Sequence, residues 1–552
     1  MNIIEANIVD VTEKKIFPAR IFFDTHIQQI DPLPDVVDGS FLLPGLVDAH
    51  VHIESSMLPP SEFARMAICH GTLAAIADPH EITNVLGIAG IDYMVEDAAR
   101  FPFRFVFGAP SCVPATPFES TGICITYDDI DNLFKAGKVH FLSEVMNFPG
   151  VISGDAELLA KITVARKYGK PVDGHAPGVS GEELLKYAGA GKAEPFAVIS
   201  TDHECSALSE AEEKIRSGMK ILIREGSAAK NFDALSPLID RYPDMVMLCT
   251  DDCHPDDLMN GHINRLLAKG IDAGLDLFSL LRAATLNPVR HYQVDLGLLR
   301  TGDSADFIVT DDLKTFSVQK SFLRGVCLYD RVGNEQEKIS LQKSGTFFSE
   351  RFCARRISKP DVAVTATSDT MKVIQAIDGD LRTKQFFHKV TLGQAVNANV
   401  EADILKLVVV NRYCPEKPAV AFIRGFGLKQ GALASSIAHD SHHIVAIGCD
   451  DESLLEVIND TIDIKGGITA YYENKLIALK LDIAGLMSSA SGEEVAKAYQ
   501  RLNHTAARMG STLKAPFMTL SFMALLVIPE LKLGEKGLFD VHSFEWTNLF
   551  VE

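Results

Sequence analysis

Between residues 44 and 293 short apolar runs alternate with stretches whose apolar positions recur at helical spacing. The runs at 46–50, 73–77, 103–107, 140–144, 171–174, 197–201, 220–223 and 245–250 predict eight strands. Helical spacing predicts helices over 60–70, 84–100, 156–168, 181–190, 209–217, 237–242, 259–268 and 277–284. Eight such units in about 250 residues fit a (β/α)8 barrel, which places functional side chains at the C-terminal strand ends. Periodicity alone supports only an α/β class, because doubly wound sheets alternate in the same way.

The flanks read differently. Residues 1–43 carry short β-like runs at 3–4, 8–11, 15–17, 20–23 and 27–30, with Asp31-Pro32 as a turn. Such a meander needs partner strands, and 305–309 and 325–329 are candidates. The expected domains are therefore a discontinuous small β-sandwich (1–43 plus 294–348), a barrel (44–293) and a C-terminal α+β domain (350–552). Helices are expected in the last at 453–458 and 492–509, with Gly466-Gly467 between them.

Composition narrows the class. The chain has 552 residues, 47% hydrophobic and 23% charged, with a formal charge of −20. An acidic surface repels phosphate backbones, which argues against a nucleic-acid partner and allows a small neutral substrate or a metal cation. Neither an 18-residue apolar run nor a basic-then-apolar leader is visible, so no membrane partner is expected. Ten cysteines without CxxC pairing read as reduced thiols of a cytoplasmic protein. A homo-oligomer stays open.

Chemistry gathers at the predicted strand ends. His50 and His52 stand two apart on strand one and share one face. Strand two is followed by Asp78-Pro79-His80-Glu81, with His80 on a loop. Strand four ends in Glu144, strand five in His175, strand six in His203-Glu204 and strand eight in Asp251. Any one of these has an ordinary structural explanation. Metal-capable residues after six strands in order point to a catalytic metal site.

The stretch Pro-Gly-Leu-Val-Asp-Ala-His-Val-His (44–52) resembles the opening signature of the amidohydrolase superfamily, and Gly302-Asp-Ser-Ala-Asp-Phe307 its closing one. The further motifs PGLVDAHVHIESSM, ADPHEITNVLG, LSEVMN, DGHAPG, STDHE and CTDD resemble the bacterial adenine deaminases across essentially the whole chain. So do the segments 431–443 and 521–537. His443 departs from that pattern, where Asn is expected. The resemblance implies hydrolysis of adenine to hypoxanthine and ammonia by metal-bound hydroxide, as part of purine metabolism. It also implies two divalent metals, manganese or iron before zinc.

Many amidohydrolases bridge their metals with a carbamylated lysine, but Lys138 lies before strand four, and Glu144 takes that slot. His50, His52 and Asp251 would serve one metal and His175 and His203 the other; a mononuclear site without Glu144 is the alternative. Asp251 is the expected proton acceptor, Glu144 and Glu204 the candidate acids, and His80 a group that polarises the ring or holds water. Ser111 and Cys112 line the same face without an assigned role. Another cyclic amide or aminated heterocycle as substrate, or a non-enzymatic metal-binding scaffold, remain the competing readings. The cluster His439, Asp440, His442 and His443 reads either as a lid over the base or as an internal hydrogen-bond cluster.

Overall fold

The computed structural model describes the chain except for residues 36–38, 117, 121, 122, 193–196, 228, 334, 337–350 and 552. Two compact units are present. Met1–Pro79, Asp92–Cys112 and Ile125–Lys343 form the first, and His80–Ile91, Val113–Cys124 and Ser344–Glu552 the second. The domain edges expected at 348 and 350 lie outside the described residues.

In the first unit eight parallel strands follow one another around a ring: Leu46–Val51, Thr72–Ala77, Arg104–Ala109, Phe141–Val145, Val172–Gly174, Thr201–Asp202, Lys220–Arg224 and Val246–Cys249. Ser200 N donates to Val172 O at 2.8 Å and carries the ladder from strand five to strand six. Asp251 N donates to His50 O at 2.9 Å and His52 N to Asp251 O at 3.0 Å, which joins strand eight to strand one. Strands one and two are buried throughout, as expected of parallel strands covered on both faces.

The predicted barrel elements recur with instructive differences. Strand six is only Thr201–Asp202. The amides of Val198 and Ile199 instead donate to Ala188 O at the end of helix Gly181–Ala188, so they are not available for a strand ladder. A helix absent from the expectations, Tyr127–Lys135, supplies the third βα unit. Thr126 and Asp129 start it with a reciprocal capping box. The helix expected at 84–100 is two, His80–Leu86 and Ile88–Ala98. Gly87 separates them in a left-handed conformation (φ 64°), where a Cβ would meet Ile123. His80 and Glu81 therefore occupy a helical first turn and not a loop.

Also in the first unit, Asn2–Asp10, Lys15–Phe23, Ile27–Pro32 and Phe41–Pro44 share one sheet with Phe307–Thr310, Val318–Leu323, Val326–Asp330 and Glu335–Gln336. Phe23 packs edge-on to Phe307 at 5.1 Å, and Phe307 stacks on Phe322 at 4.7 Å. The runs expected as short strands merge into two of nine residues. Pro18 does not interrupt the first ladder, because the Asn7 amide opposite it turns away to Ser40 O. Pro32 ends a strand and does not make a turn.

The second unit is built on a mixed sheet in the order Asp380–Lys389, Thr370–Ile377, Ala419–Arg424, Leu405–Val410, Ile444–Gly448, Ala432–Ser435, Gly467–Tyr472, Lys475–Lys480. Helix Asp451–Asp463 packs Leu454, Val457 and Ile458 against Val408, Val410 and Ala434 of that sheet. The longer helix Gly492–Arg508 begins with a Ser491–Glu494 capping box. Among the described residues no helix is long and apolar enough to cross a membrane. None of the ten cysteines is in a disulfide.

Closure of the barrel rests on a buried carboxylate. Asp48 accepts from Thr250 N at 2.9 Å and from the Thr250 hydroxyl, and lies 3.1 Å from His262 Nε2. The other His262 nitrogen meets Thr72 Oγ1 at 2.7 Å, so strands one, two and eight share one polar knot. Asp48→Ala strands those partners in the interior and is expected to cost about 3 kcal/mol. Denaturant unfolding of the full chain, against a milder Asp48→Asn, checks it.

Candidate metal centre

The ends of strands one, four, five, six and eight deliver their polar side chains to one buried place. His50 stacks on His203 at 4.2 Å and stands edge-on to His52 at 4.9 Å. Glu144 lies between two histidine sets. Its Oε1 is 3.4 Å from His52 Nε2, and its Oε2 is 2.8 Å from His175 Nδ1 and 3.1 Å from His203 Nε2. Asp251 Oδ1 is 3.2 Å from His52 Nε2 and 3.5 Å from His50 Nε2. Glu204 Oε1 is 3.5 Å from His203 and 3.7 Å from His175. The structure thus brings together His50, His52, Glu144, His175, His203, Glu204 and Asp251. His80 belongs to the second unit, beside Glu81 and Asp440.

The donor set fits a divalent cation. His50 is fully buried, yet among the described residues neither ring nitrogen has a hydrogen-bond partner. Burial, then His203, lowers its pKa and leaves the neutral imidazole that a metal requires. His52 Nδ1 lies 3.2 Å from Asp78 O. A carbonyl only accepts, so Nδ1 carries the proton and the Nε2 lone pair faces Glu144 and Asp251.

The carboxylates are charged. Burial alone would raise Glu144, but His175 and His203 hold it well below the usual range. Burial would raise Asp251 too, and Arg224, His50 and His52 hold it down. The same carboxylates pull the other way on the histidines. Against the effect of burial, Glu144 and Asp251 push His203 up to about 9. His175 is likewise raised, by Glu204 and Glu144. Those two rings draw protons from the negative charge around them, and a divalent cation would replace those protons.

Arg224, at the end of strand seven, was not among the sequence-derived candidates. It grips both oxygens of Glu204 and, through the same guanidinium, Asp251 Oδ2. Asp251 is left with Oδ1 towards the histidines. The available signal was an arginine closing the apolar run Lys-Ile-Leu-Ile-Arg, one residue past the predicted strand end. Ser111, given no role from sequence, donates to Glu144 O at 2.6 Å, and buried Lys161 holds Ser111 O at 2.9 Å. Lys138, the nearest lysine to the bridging slot in sequence, is paired with Asp92.

The chain matches the amidohydrolase family over residues 41–328 and the adenine deaminase C-terminal domain over 381–545. It is 51% identical to the adenine deaminase of Methanosarcina barkeri over 523 residues, 92% of each chain. The chain belongs to the adenine deaminase family. The adenine deaminase of Salinibacter ruber is 48% identical over 100% of this chain and 99% of its own length. That of Borreliella burgdorferi is 45% identical over 98% of each. The family implies a bound divalent metal, and the buried histidine and carboxylate clusters supply its donors.

Removing Arg224 tests the electrostatics. Arg224→Met leaves Glu204 and Asp251 buried without their cation, and is expected to cost about 3 kcal/mol of stability. Turnover is expected to fall at least about tenfold. Arg224→Lys, a point charge without the fork, recovers only part of both. Unfolding and steady-state rates on the same preparations check this.

Proposed function

We propose that this chain is a metal-dependent aminohydrolase that converts adenine and water to hypoxanthine and ammonia at a binuclear centre. The observation that carries the binuclear reading is the split of Glu144, with one oxygen towards His52 and the other towards His175 and His203. An unmodified carboxylate in that position has two oxygens and would be able to serve two cations without a carbamylated lysine. His50, His52 and Asp251 would hold one ion, His175 and His203 the other. Imidazole nitrogen mixed with carboxylate oxygen suits manganese or iron, and also zinc. Bound divalent metal lowers the pKa of water towards about 7 and so makes a nucleophile available at neutral pH.

The protein's own groups handle the protons. Asp251, ionised by Arg224 and the histidines, starts the cycle as an acceptor for the proton of the attacking water. Glu204 is also held ionised, because Arg224, His175 and His203 outweigh its burial. It therefore begins as a carrier and not as a resident acid: one proton, taken up during attack, goes to the ring nitrogen, and a second, released as the new C6 hydroxyl becomes a carbonyl and accepted by Asp251, goes to the departing amine. Glu144, with both oxygens facing imidazoles, would serve as a metal ligand before it serves as an acid. His80 is assigned to the base ring or the attacking water.

A −20 charge offers no attraction to a polynucleotide, so the free base is the proposed substrate. Ten cysteines without a disulfide favour a reducing, cytoplasmic setting. Absorbance assays should show adenine consumed at least about a hundredfold more efficiently than adenosine, a gap of about 2.7 kcal/mol. Equal turnover of the nucleoside would overturn the substrate assignment. Elemental analysis should find two ions per chain, with Glu144→Gln losing at least one. A single ion unaffected by that change would refute the bridge.

A further inference from the structure

The second unit contains its own buried histidine and carboxylate constellation. Glu81 is 2% exposed. One of its oxygens is held by His439 Nδ1 and the other by His442 Nε2. His80 Nε2 lies 3.5 Å from Asp440 Oδ1 and 3.6 Å from Glu81 Oε1. Burial would raise the Glu81 carboxyl, but His439, His442 and His80 hold it well below the usual range. Three residues of one short turn, His439, Asp440 and His442, thus address two consecutive residues at the start of another element.

That turn is fastened at several points of its own. His442 N donates to Ala438 O at 2.6 Å, closing the turn. Arg412 donates to His442 O at 3.3 Å and Tyr413 OH to Ser441 O at 2.8 Å. The His439 ring stacks on Phe522 at 4.6 Å with the planes 16° apart. Phe522 is fixed in turn, since Lys532 Nζ donates to its carbonyl at 2.9 Å. His442 adopts a left-handed backbone (φ 54°), a conformation a non-glycine residue keeps only when its surroundings demand it.

The element it addresses cannot hold itself. Helix His80–Leu86 has seven residues, below the length at which a helix is stable alone, and Gly87 stops it. Its orientation must come from outside contacts. A buried ion pair contributes little net stability compared with apolar packing of the same volume, but its geometry is defined. With both Glu81 oxygens engaged, the first helical turn has no freedom to rotate, and His80 is carried with it. Asp440 then meets the imidazole itself.

We propose that residues 438–443 are a positioning device for catalysis: His439 and His442 clamp Glu81, and Asp440 orients His80, so that His80 is held in one geometry. This rests on the reading of the chain as an adenine deaminase in which His80 takes part. The three residues are positioning residues; they act through Glu81 and His80.

The test uses the full chain loaded with manganese. His442→Ala and Asp440→Ala should lower kcat by about tenfold to a hundredfold, the range expected when a reacting group is displaced by an ångström or less. KM should change less than about threefold and metal content should stay at the wild-type value. The conservative variants His442→Gln, which can donate to Glu81, and Asp440→Asn, which can accept from His80, should recover a substantial part of kcat. Hydrogen–deuterium exchange of the 80–86 peptide is the readout independent of activity: it should quicken in the alanine variants while the Asp451–Asp463 helix stays protected. Folded variants with wild-type kcat and unchanged exchange at 80–86 would overturn the positioning role. A fall in kcat matched by a fall in folded fraction, and equal in the alanine and conservative variants, would do the same. If wild-type protein failed to deaminate adenine, the deaminase reading would fail first and the inference with it.

Discussion

A charge taken out of water must be paired, and that constraint organises the barrel interior of this protein. Glu144, Glu204 and Asp251 are all buried or nearly so, and alone each would take up a proton. Arg224 and the four histidines keep them ionised. The arginine cannot be deprotonated, so it sets the sign of the local field whatever the histidines do. Because it grips Glu204 and Asp251 with one guanidinium, it also fixes the distance between strand six and strand eight at their functional ends. The same pairing leaves exactly one oxygen of Asp251 facing the ligand set, an arrangement that length or charge alone would not specify.

Behind that layer a second set of groups decides where the first set points. The Asp78 carbonyl fixes the proton on His52 and frees the opposite nitrogen. Tyr187 accepts from His175 N and donates to Val145 O, which ties the ends of strands four and five together. Ser111 and Lys161 secure the backbone of Glu144. None of these touches the histidine and carboxylate donors through a charged atom, yet each removes a degree of freedom that metal binding would otherwise have to restrict.

What was legible in the sequence follows from the same physics. His50 and His52 could be read because a strand puts alternate residues on one face, and Glu144, His175, His203 and Asp251 because each ends an apolar run. Such local signals survive without coordinates. Arg224 was not legible, because an arginine closing a strand ordinarily reaches solvent; its partners lie 20 and 27 residues away and appear only when the ring closes. The helix Tyr127–Lys135 was missed because its capping box uses Asp129 where Glu or Gln is the familiar signal. The start of the helix at His80 was hidden for a related reason: Pro79 reads as a breaker, although a proline just ahead of a first turn is compatible with one. The pairing of Glu81 with His439 and His442 spans about 360 residues, and no periodicity carries information over that separation.

Backbone strain marks the two polar clusters independently of their charges. Asp251 (φ 60°) and His442 (φ 54°) both lie in the left-handed region that glycine favours. A non-glycine residue there costs on the order of 1–3 kcal/mol, and persists only where its neighbours over-determine it. At Asp251 they visibly do: its amide and carbonyl bond to His50 and His52 on one edge of strand one, and its side chain to Arg224. At His442 the amide closes a turn, the carbonyl takes Arg412, and the ring takes Glu81. Glycine would relieve either backbone and lose the side chain, while a relaxed backbone would withdraw the side chain from its carboxylate or histidine partners. The strain is therefore tolerated for what the side chain does, which is the direction in which an outlier can be reasoned from structure to function.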